Sequence, residues 1–376
     1  MSVGTVIKMV AGGPLIFCCI QSRANQICYR KRSYRLRHIV RISRMKVCIF
    51  GAGAVGGYLL GRMGNAGAAT LSVVARGAQK EAIEMNGLRL ETPTETIIAR
   101  PDFITDRPSD LPEQDVTFVA LKAMGQPAAA DALCHLTGQN GYAVFAANGI
   151  PWWWKVGSHK PESLPLLDPD AALWNRLTPE RALGCVVYSA NEVIAPGVVR
   201  HLGNNRWVLG EPNGHVSTRL KNVVQLLLES GVNAEASTRL HEEIWIKLLR
   251  NASVNSLCAL TRLPIDGLAD DPELLAQAEA IVDDIVAVAQ GQGYDISEHR
   301  IAAFEQLRRG GAEASTPPVR GLRPSMLQDV SANRPLEVEA VLGQVQALAR
   351  EAKVPCPAID AVLPVLRGLN RSLLRD

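Results

Sequence analysis

Three polar side chains recur at intervals of four through a mostly apolar stretch, EEIWIKLLRNASVNSL at residues 242–257: Lys247, Asn251 and Asn255. Four residues overshoot an α-helical turn by roughly 40°. On a helix the three therefore form one slowly drifting line, flanked by Ile244, Trp245, Leu248, Ala252 and Val254. A partly desolvated ammonium can both stabilise and protonate an oxygen on which negative charge develops. Neutral amides beside it orient a carboxylate or hydroxyl without adding charge that would hold a product. The plain alternative is a lysine that snorkels from a helix edge, with two asparagines satisfying nearby backbone.

A second constellation lies near the amino end, in KVCIFGAGAVGG at 46–57. Gly51, Gly53 and Gly56 form G-x-G-x-x-G directly after a strand and at the mouth of a helix, with Ala52, Ala54 and Val55 between them. The first glycine permits a tight turn, the second lets backbone approach a pyrophosphate, and the third lets helix and strand pack closely. The phosphates would sit on the helix N-terminus. The next strand, LSVVARG at 71–77, ends without the acidic residue that binds the ribose of NAD; Arg76 stands there instead. A guanidinium suits a 2′-phosphate by charge and by its forked geometry, so NADPH is the expected cofactor. Lys122 follows FVAL and Asn148 follows VFAA, each at the carboxyl end of a strand, the edge where ligands bind in such sheets. Asn148-Gly149 is also a simple turn signal.

The elements that must position these groups follow from pattern. Apolar runs at 46–50, 71–75, 115–121 and 142–147, separated by helical segments, predict a parallel sheet covered on both faces. Residues 149–174 read as a long excursion carrying Trp152, Trp153 and Trp154, which either lid the site or fill core beneath it. Residues 182–214 alternate like antiparallel strands with turns at Pro-Gly and Asn-Asn. Helices are predicted over 240–260, 272–290, 298–309, 325–332 and 335–353, the last with Pro335 at its first position. The expected architecture is α/β: a Rossmann-type doubly wound sheet over 45–237, then an all-helical C-terminal domain over 238–376. The polar stripe would line the far wall of the cleft between them.

Composition narrows the class. Among 376 residues, 47% hydrophobic with 20% charged describes a soluble globular chain long enough for two cores. The net charge of +3 is uneven: residues 1–44 hold nine Lys/Arg and no acid, which leaves the remainder at −6. An acidic body makes neither nucleic acid nor an anionic membrane an expected partner. The eight cysteines show no CxxC pair and no metal-ligand spacing, so reduced thiols, a cytoplasmic setting and no metal are expected. Residues 1–44 read as a mis-assigned translation start ahead of Met45 or as a targeting leader. Their apolar run, Met9 to Ile20, is too short to span a bilayer.

Taken in order, GAGAVGG at 51–57, LKA at 121–123, ANG at 147–149, IWIKLLRNASVN at 244–255 and PSMLQDVSANRPLEVEAV at 324–341 resemble the ketopantoate reductase (2-dehydropantoate 2-reductase) family. The resemblance implies reduction of a 2-oxo acid to a 2-hydroxy acid by hydride from NADPH, by default 2-dehydropantoate to pantoate in pantothenate biosynthesis. It implies that Lys247 is the general acid and that Glu337, twelve residues after Ser325, binds the substrate hydroxyl region and helps hold the lysine. Asn251, Asn255 and Ser325 would grip the substrate. Asn148 would sit beside the nicotinamide and the lysine, and Lys122 near the cofactor phosphates or the substrate carboxylate. Glu337 would lie in the first turn of its helix, where a carboxylate is favoured for dipole reasons alone, and Glu339 is the competing carboxylate. The chain departs from the family pattern in TRLPIDG at 261–267, where Ile265 and Asp266 stand instead of a third asparagine, and in its tryptophan excursion. Both departures leave the 2-oxo acid open. The alternatives are a reductase of another 2-oxo acid and a non-catalytic NADP-binding regulator; a homodimer is compatible with each.

Overall fold

The apolar runs of the amino-terminal half form the interior of a ten-stranded sheet in the computed structural model, which describes residues 44–310 and 320–374. In chain order the strands are β1 (Lys46–Phe50), β2 (Thr70–Val74), β3 (Leu88–Glu91), β4 (Thr96–Ala99), β5 (Phe103–Thr105), β6 (Val116–Val119), β7 (Tyr142–Phe145), β8 (Ala182–Ala195), β9 (Val198–Gly210) and β10 (Asn233–Ala236). Six of them lie in the order β5-β2-β1-β6-β7-β8 and are parallel throughout. From β1 the chain first builds outward through β2 and later returns to the other flank with β6. The order thus reverses at β1/β6, and a crevice opens at the carboxyl ends there. This is the doubly wound arrangement the sequence predicts, and every residue of β6 and β7 is buried.

The rest of the sheet is mixed and curls into a half-barrel. β8 and β9 are antiparallel, β9 pairs parallel with β3 and β10, and β3 pairs antiparallel with β4. Helix Ala54–Ala66 lies inside this curl because its facing side is glycine. A Cβ at Gly57, Gly61 or Gly64 would come within 2.6, 2.6 and 2.7 Å of Val199, Leu90 and Ala99. The short strands β3, β4, β5 and β10 are not among the sequence expectations. One expected turn is also corrected. The β8–β9 hairpin turns at Pro196-Gly197, whereas Asn204, at φ 54°, sits in an extra residue that shifts register inside β9. It makes a bulge rather than a turn.

From Leu240 the described chain is helical. Helix Pro272–Gly291, capped by Asp271, buries Ala278, Ile281, Val282, Ile285, Val288 and Ala289 at helical spacing and forms the axis of this half. The helix expected from Pro335 begins only at Val338, so Glu337 lies before the helix and not in its first turn. Leu336, 2% exposed, anchors the preceding segment and donates its N–H to Asn370 Oδ1 at 2.8 Å. Trp152, Trp153 and Trp154 are 2%, 1% and 4% exposed, so the excursion fills core and forms no lid. Trp154 packs edge-on against Trp245 and accepts a hydrogen bond on its carbonyl from the His241 ring. Among the described residues no helix is long and apolar enough to cross a membrane. The expectation for residues 1–44 lies, but for Arg44, outside the described residues.

Candidate active site

At the end of β1 the three glycines do three different things. Gly51 turns the chain at φ 100°, and a Cβ there would lie 3.0 Å from the Ala120 carbonyl oxygen. A Cβ at Gly56 would lie 1.9 Å from the Gly51 carbonyl oxygen, so helix and strand meet only without a side chain. Gly53 is different: its φ is −73° and a Cβ would meet nothing within 4 Å. No protein contact requires glycine at 53; its absence of side chain leaves the N-terminus of helix Ala54–Ala66 open. Ala54 and Val55 begin that helix, whose first turn carries no acid. Ala52 is buried, and its carbonyl accepts from Gln79 Nε2 at 2.6 Å. The turn thus fits a dinucleotide pyrophosphate. Arg76 stands exposed at the end of β2, immediately before helix Gly77–Asn86.

The polar stripe lies across the crevice and is straighter than an α-helix would make it. Helix Leu240–Arg250 passes into a π turn, Asn251–Asn255, before resuming as Ser256–Thr261. A π turn closes one residue later than an α turn, so a step of four no longer overshoots and the drift is curbed. Opposite, β7 delivers Asn148. Gly149 turns at φ 84°, where a Cβ would lie 2.3 Å from the Ala340 carbonyl oxygen. The Ile150 N–H donates to that same oxygen at 2.8 Å. Ala340 belongs to a second π turn, Glu339–Gly343, so the Asn148 turn is docked directly on the helical half.

These elements bring four of the expected residues into one network. Lys247 Nζ donates to Asn148 Oδ1 at 2.9 Å, and Asn251 Nδ2 donates to the same oxygen at 3.3 Å. Asn148 Nδ2 donates to Glu337 Oε2 at 3.2 Å. An ammonium can only donate, so the amide oxygen must face Lys247 and the amide nitrogen the carboxyl group. Glu337 Oε1 accepts from the Ala123 N–H at 3.0 Å. The competing Glu339 is bound by Arg367 at 2.6 Å.

The other expected residues stand apart. Lys122 Nζ is 2.7 Å from Asp329 Oδ2 and donates to the Pro335 carbonyl at 2.8 Å; Arg334 Nε reaches Asp329 Oδ1 at 3.0 Å. Its ammonium ties the sheet edge to helix Ser325–Ser331 and to the segment that carries Glu337. Asn255, 5% exposed, and the exposed Ser325 have no side-chain hydrogen-bond partner among the described residues. Sequence reasoning missed the Ala123 N–H and Asp329. Both lie inside motifs singled out for their neighbours, LKA and PSMLQD, so the signal was present but attached to other residues.

Burial sets the electrostatics. Desolvation lowers Lys247 from its ordinary 10.5 to about 8, opposed by Cys185 and Glu337 and assisted by Arg250. Desolvation also raises the Glu337 carboxyl, against the Ala123 N–H, Asn148 and Lys122, while Asp329 pushes the same way as burial. An acid and a base are thereby drawn toward neutrality on either side of one amide. A cleft opens here, walled by Phe145, Trp153, Cys185, Val186, Ile244 and Leu248 with Lys247 and Asn251 as its polar groups. A second shares Phe145 and Gly149 and adds Ala123 and Asn148.

Residues 47–214 match the family model described as ketopantoate reductase PanE/ApbA, and residues 239–370 match the model of its C-terminal part. A 2-dehydropantoate 2-reductase of Mesorhizobium japonicum is 37% identical over 328 residues, 86% of this chain and 98% of its own length. The crystal structure of a candidate ketopantoate reductase from Ralstonia solanacearum agrees with a TM-score of 0.79 at 33% identity, over 88% of this chain and 99% of that one. D-mandelate dehydrogenase, solved with NADH and anilino(oxo)acetate, shares the fold with a TM-score of 0.75 at 18% identity, over 88% and 100%. A Rossmann-like sheet, a helical C-terminal half and matches to both parts of one family lead to one conclusion: the chain belongs to the ketopantoate reductase family, oxidoreductases acting on CH–OH groups.

Proposed function

We propose that this protein reduces 2-dehydropantoate to pantoate, with Lys247 as general acid and NADPH as the cofactor. One observation carries the assignment. Lys247 Nζ and Asn251 Nδ2 converge on a single sp² oxygen, that of Asn148, at 2.9 and 3.3 Å. A substrate ketone taking the place of that oxygen meets two donors where its charge develops. An ammonium drawn down to about 8 is still protonated at neutral pH and releases its proton more readily than a solvated lysine. Glu337 orients Asn148 and favours the charged lysine. Asn251, Asn255 and Ser325 bind the remainder of the substrate, and Lys122 braces the segment that carries Glu337.

NADPH, when bound, supplies the hydride. The open N-terminus at Gly53, with Gly51 and Gly56 holding the turn, would receive its pyrophosphate, and Arg76 its 2′-phosphate. A second reading, the same chemistry on another 2-oxo acid, draws on the apolar wall of Phe145, Trp153, Ile244 and Leu248. It also draws on the departure at TRLPIDG, where Ile265 is buried and Asp266 accepts from the Gly321 N–H at 3.0 Å. The deciding experiment follows nicotinamide absorbance for the full chain with 2-dehydropantoate and a panel of 2-oxo acids, with NADPH and NADH, beside Lys247→Ala. Turnover of 2-dehydropantoate that prefers NADPH and collapses in the variant supports the proposal. Turnover of only another 2-oxo acid moves the substrate, and cofactor binding with no turnover favours a non-catalytic regulator.

A further inference from the structure

Tyr188 lies on β8, two and four residues beyond Val186 and Gly184, along the strand that meets helix Leu240–Arg250. At Gly184 that approach is so close that a Cβ would lie 2.5 Å from Leu240. Lys247 Nζ stands 5.9 Å from the centroid of the Tyr188 ring, and Arg206 Cζ stands 5.1 Å from it. The Tyr188 hydroxyl donates toward Glu243 Oε2 and the Glu243 carbonyl, each at 3.4 Å. Arg206, from β9, grips the same Glu243 through both terminal nitrogens at 3.1 and 3.3 Å and also holds Glu235 at 2.7 Å. Glu243 precedes Lys247 by four residues on one helix. The ring is therefore fixed by groups that do not belong to the network around Asn148.

We propose that Tyr188 is a positioning residue for Lys247: its ring, clamped by Glu243 and Arg206, holds the ammonium at the Asn148 oxygen and replaces part of the water the ammonium has lost. This rests on the assignment of Lys247 as the acid. An aromatic face attracts a cation through its quadrupole and adds no charge. A second carboxylate in that place would bind the proton more tightly and slow its transfer. The charged and titratable groups around Lys247 are Cys185 and Tyr188 from β8, Glu337 from the segment before Val338, and Arg250 and Glu243 from its own helix, with Arg206 over the same ring. The ring, like the Asn148 amide, favours the cation without carrying a charge.

The test reads Lys247 itself, so it does not depend on turnover. The full chain is labelled with acetic anhydride across a pH series, and modification of Lys247 is quantified by peptide mass spectrometry. The pH profile of kcat is recorded in parallel. Tyr188→Leu lowers the Lys247 midpoint by about half a pH unit, the cation–π contribution expressed as a titration shift. It also moves the basic limb of kcat by the same amount and lowers kcat about tenfold. Tyr188→Phe restores both. Pentafluorophenylalanine at 188 keeps the ring's shape and removes its negative face, so it shifts the midpoint as Tyr188→Leu does even if the leucine variant does not fold. An unshifted midpoint in the fluorinated protein overturns the proposal. So does a Tyr188→Phe shift as large as that of Tyr188→Leu, which would assign the effect to the hydroxyl. Shifted midpoints without turnover of any 2-oxo acid would leave Tyr188 positioning Lys247 and remove the reductase assignment instead.

Discussion

Replacing Lys247 by methionine separates what the ammonium does for the reaction from what it does to the fold. Folding draws its pKa from 10.5 to about 8, mainly by desolvation. A base whose folded pKa is depressed binds fewer protons folded than unfolded between those two values, so stability rises with pH across that window. The penalty is fully present below pH 8 and vanishes above 10.5. Two and a half units correspond to about 3 kcal/mol at about 1.36 kcal/mol each. Lys247 is only half-buried, so solvent screening and lost contacts to the Asn148 oxygen reduce the net to about 1–2 kcal/mol. Lys247→Met, of similar volume, should therefore be more stable than the parent by about that amount at pH 7 and equal to it near pH 11. The same change should lower kcat by about 10²–10⁴, the usual worth of a placed general acid. Urea unfolding of both proteins from pH 6 to 11, with kcat at each pH, reads both effects. A variant less stable than the parent at pH 7, with a gap that does not change with pH, would refute the desolvated ammonium.

Three further outcomes are expected. Gly149→Ala places a Cβ 2.3 Å from the Ala340 oxygen at φ 84°; kcat should fall about 10²-fold, the cost of displacing a placed group by about an ångström, while Asn148 remains present, and steady-state kinetics beside a thermal melt checks it. Arg76→Ala should raise KM for NADPH by about 10–100-fold, the worth of a charge-assisted phosphate contact, and leave KM for NADH within about twofold; equal losses with both cofactors would move the 2′-phosphate elsewhere. Glu337→Gln keeps one acceptor where the Ala123 N–H and the Asn148 amide each need one. It also removes the charge that raises Lys247. The basic limb of kcat should move below about 8 and kcat fall about tenfold or more, read from a pH–rate profile.

Much of this protein is written in local pattern. Continuous apolar runs bounded by glycine dictate a parallel buried sheet, because strands covered on both faces have no polar side to show. Gly51, Gly53 and Gly56 are equally legible: a positive φ at Gly51 and a close helix–strand contact at Gly56 exclude a side chain, and at Gly53 its absence leaves the helix end open. Lys247, Asn251 and Asn255 announce themselves because a charge and two amides on an apolar helix need partners. What local pattern does not hold is which partners they find. Asn255 and Asn251 look equivalent in sequence, yet only Asn251 reaches the Asn148 oxygen. Glu337 and Glu339 lie two residues apart, and it is the non-helical segment pinned by Leu336, Lys122 and Ala123 that points one into the network and leaves the other to Arg367. Asp329 and Tyr188 carry no motif of their own; they matter because strands and helices distant in sequence are packed against each other. Periodicity determined the elements, since it depends on each residue's own faces, whereas the lowered proton affinity of Lys247 depends on water excluded by three distant segments and was decided only when they closed around it.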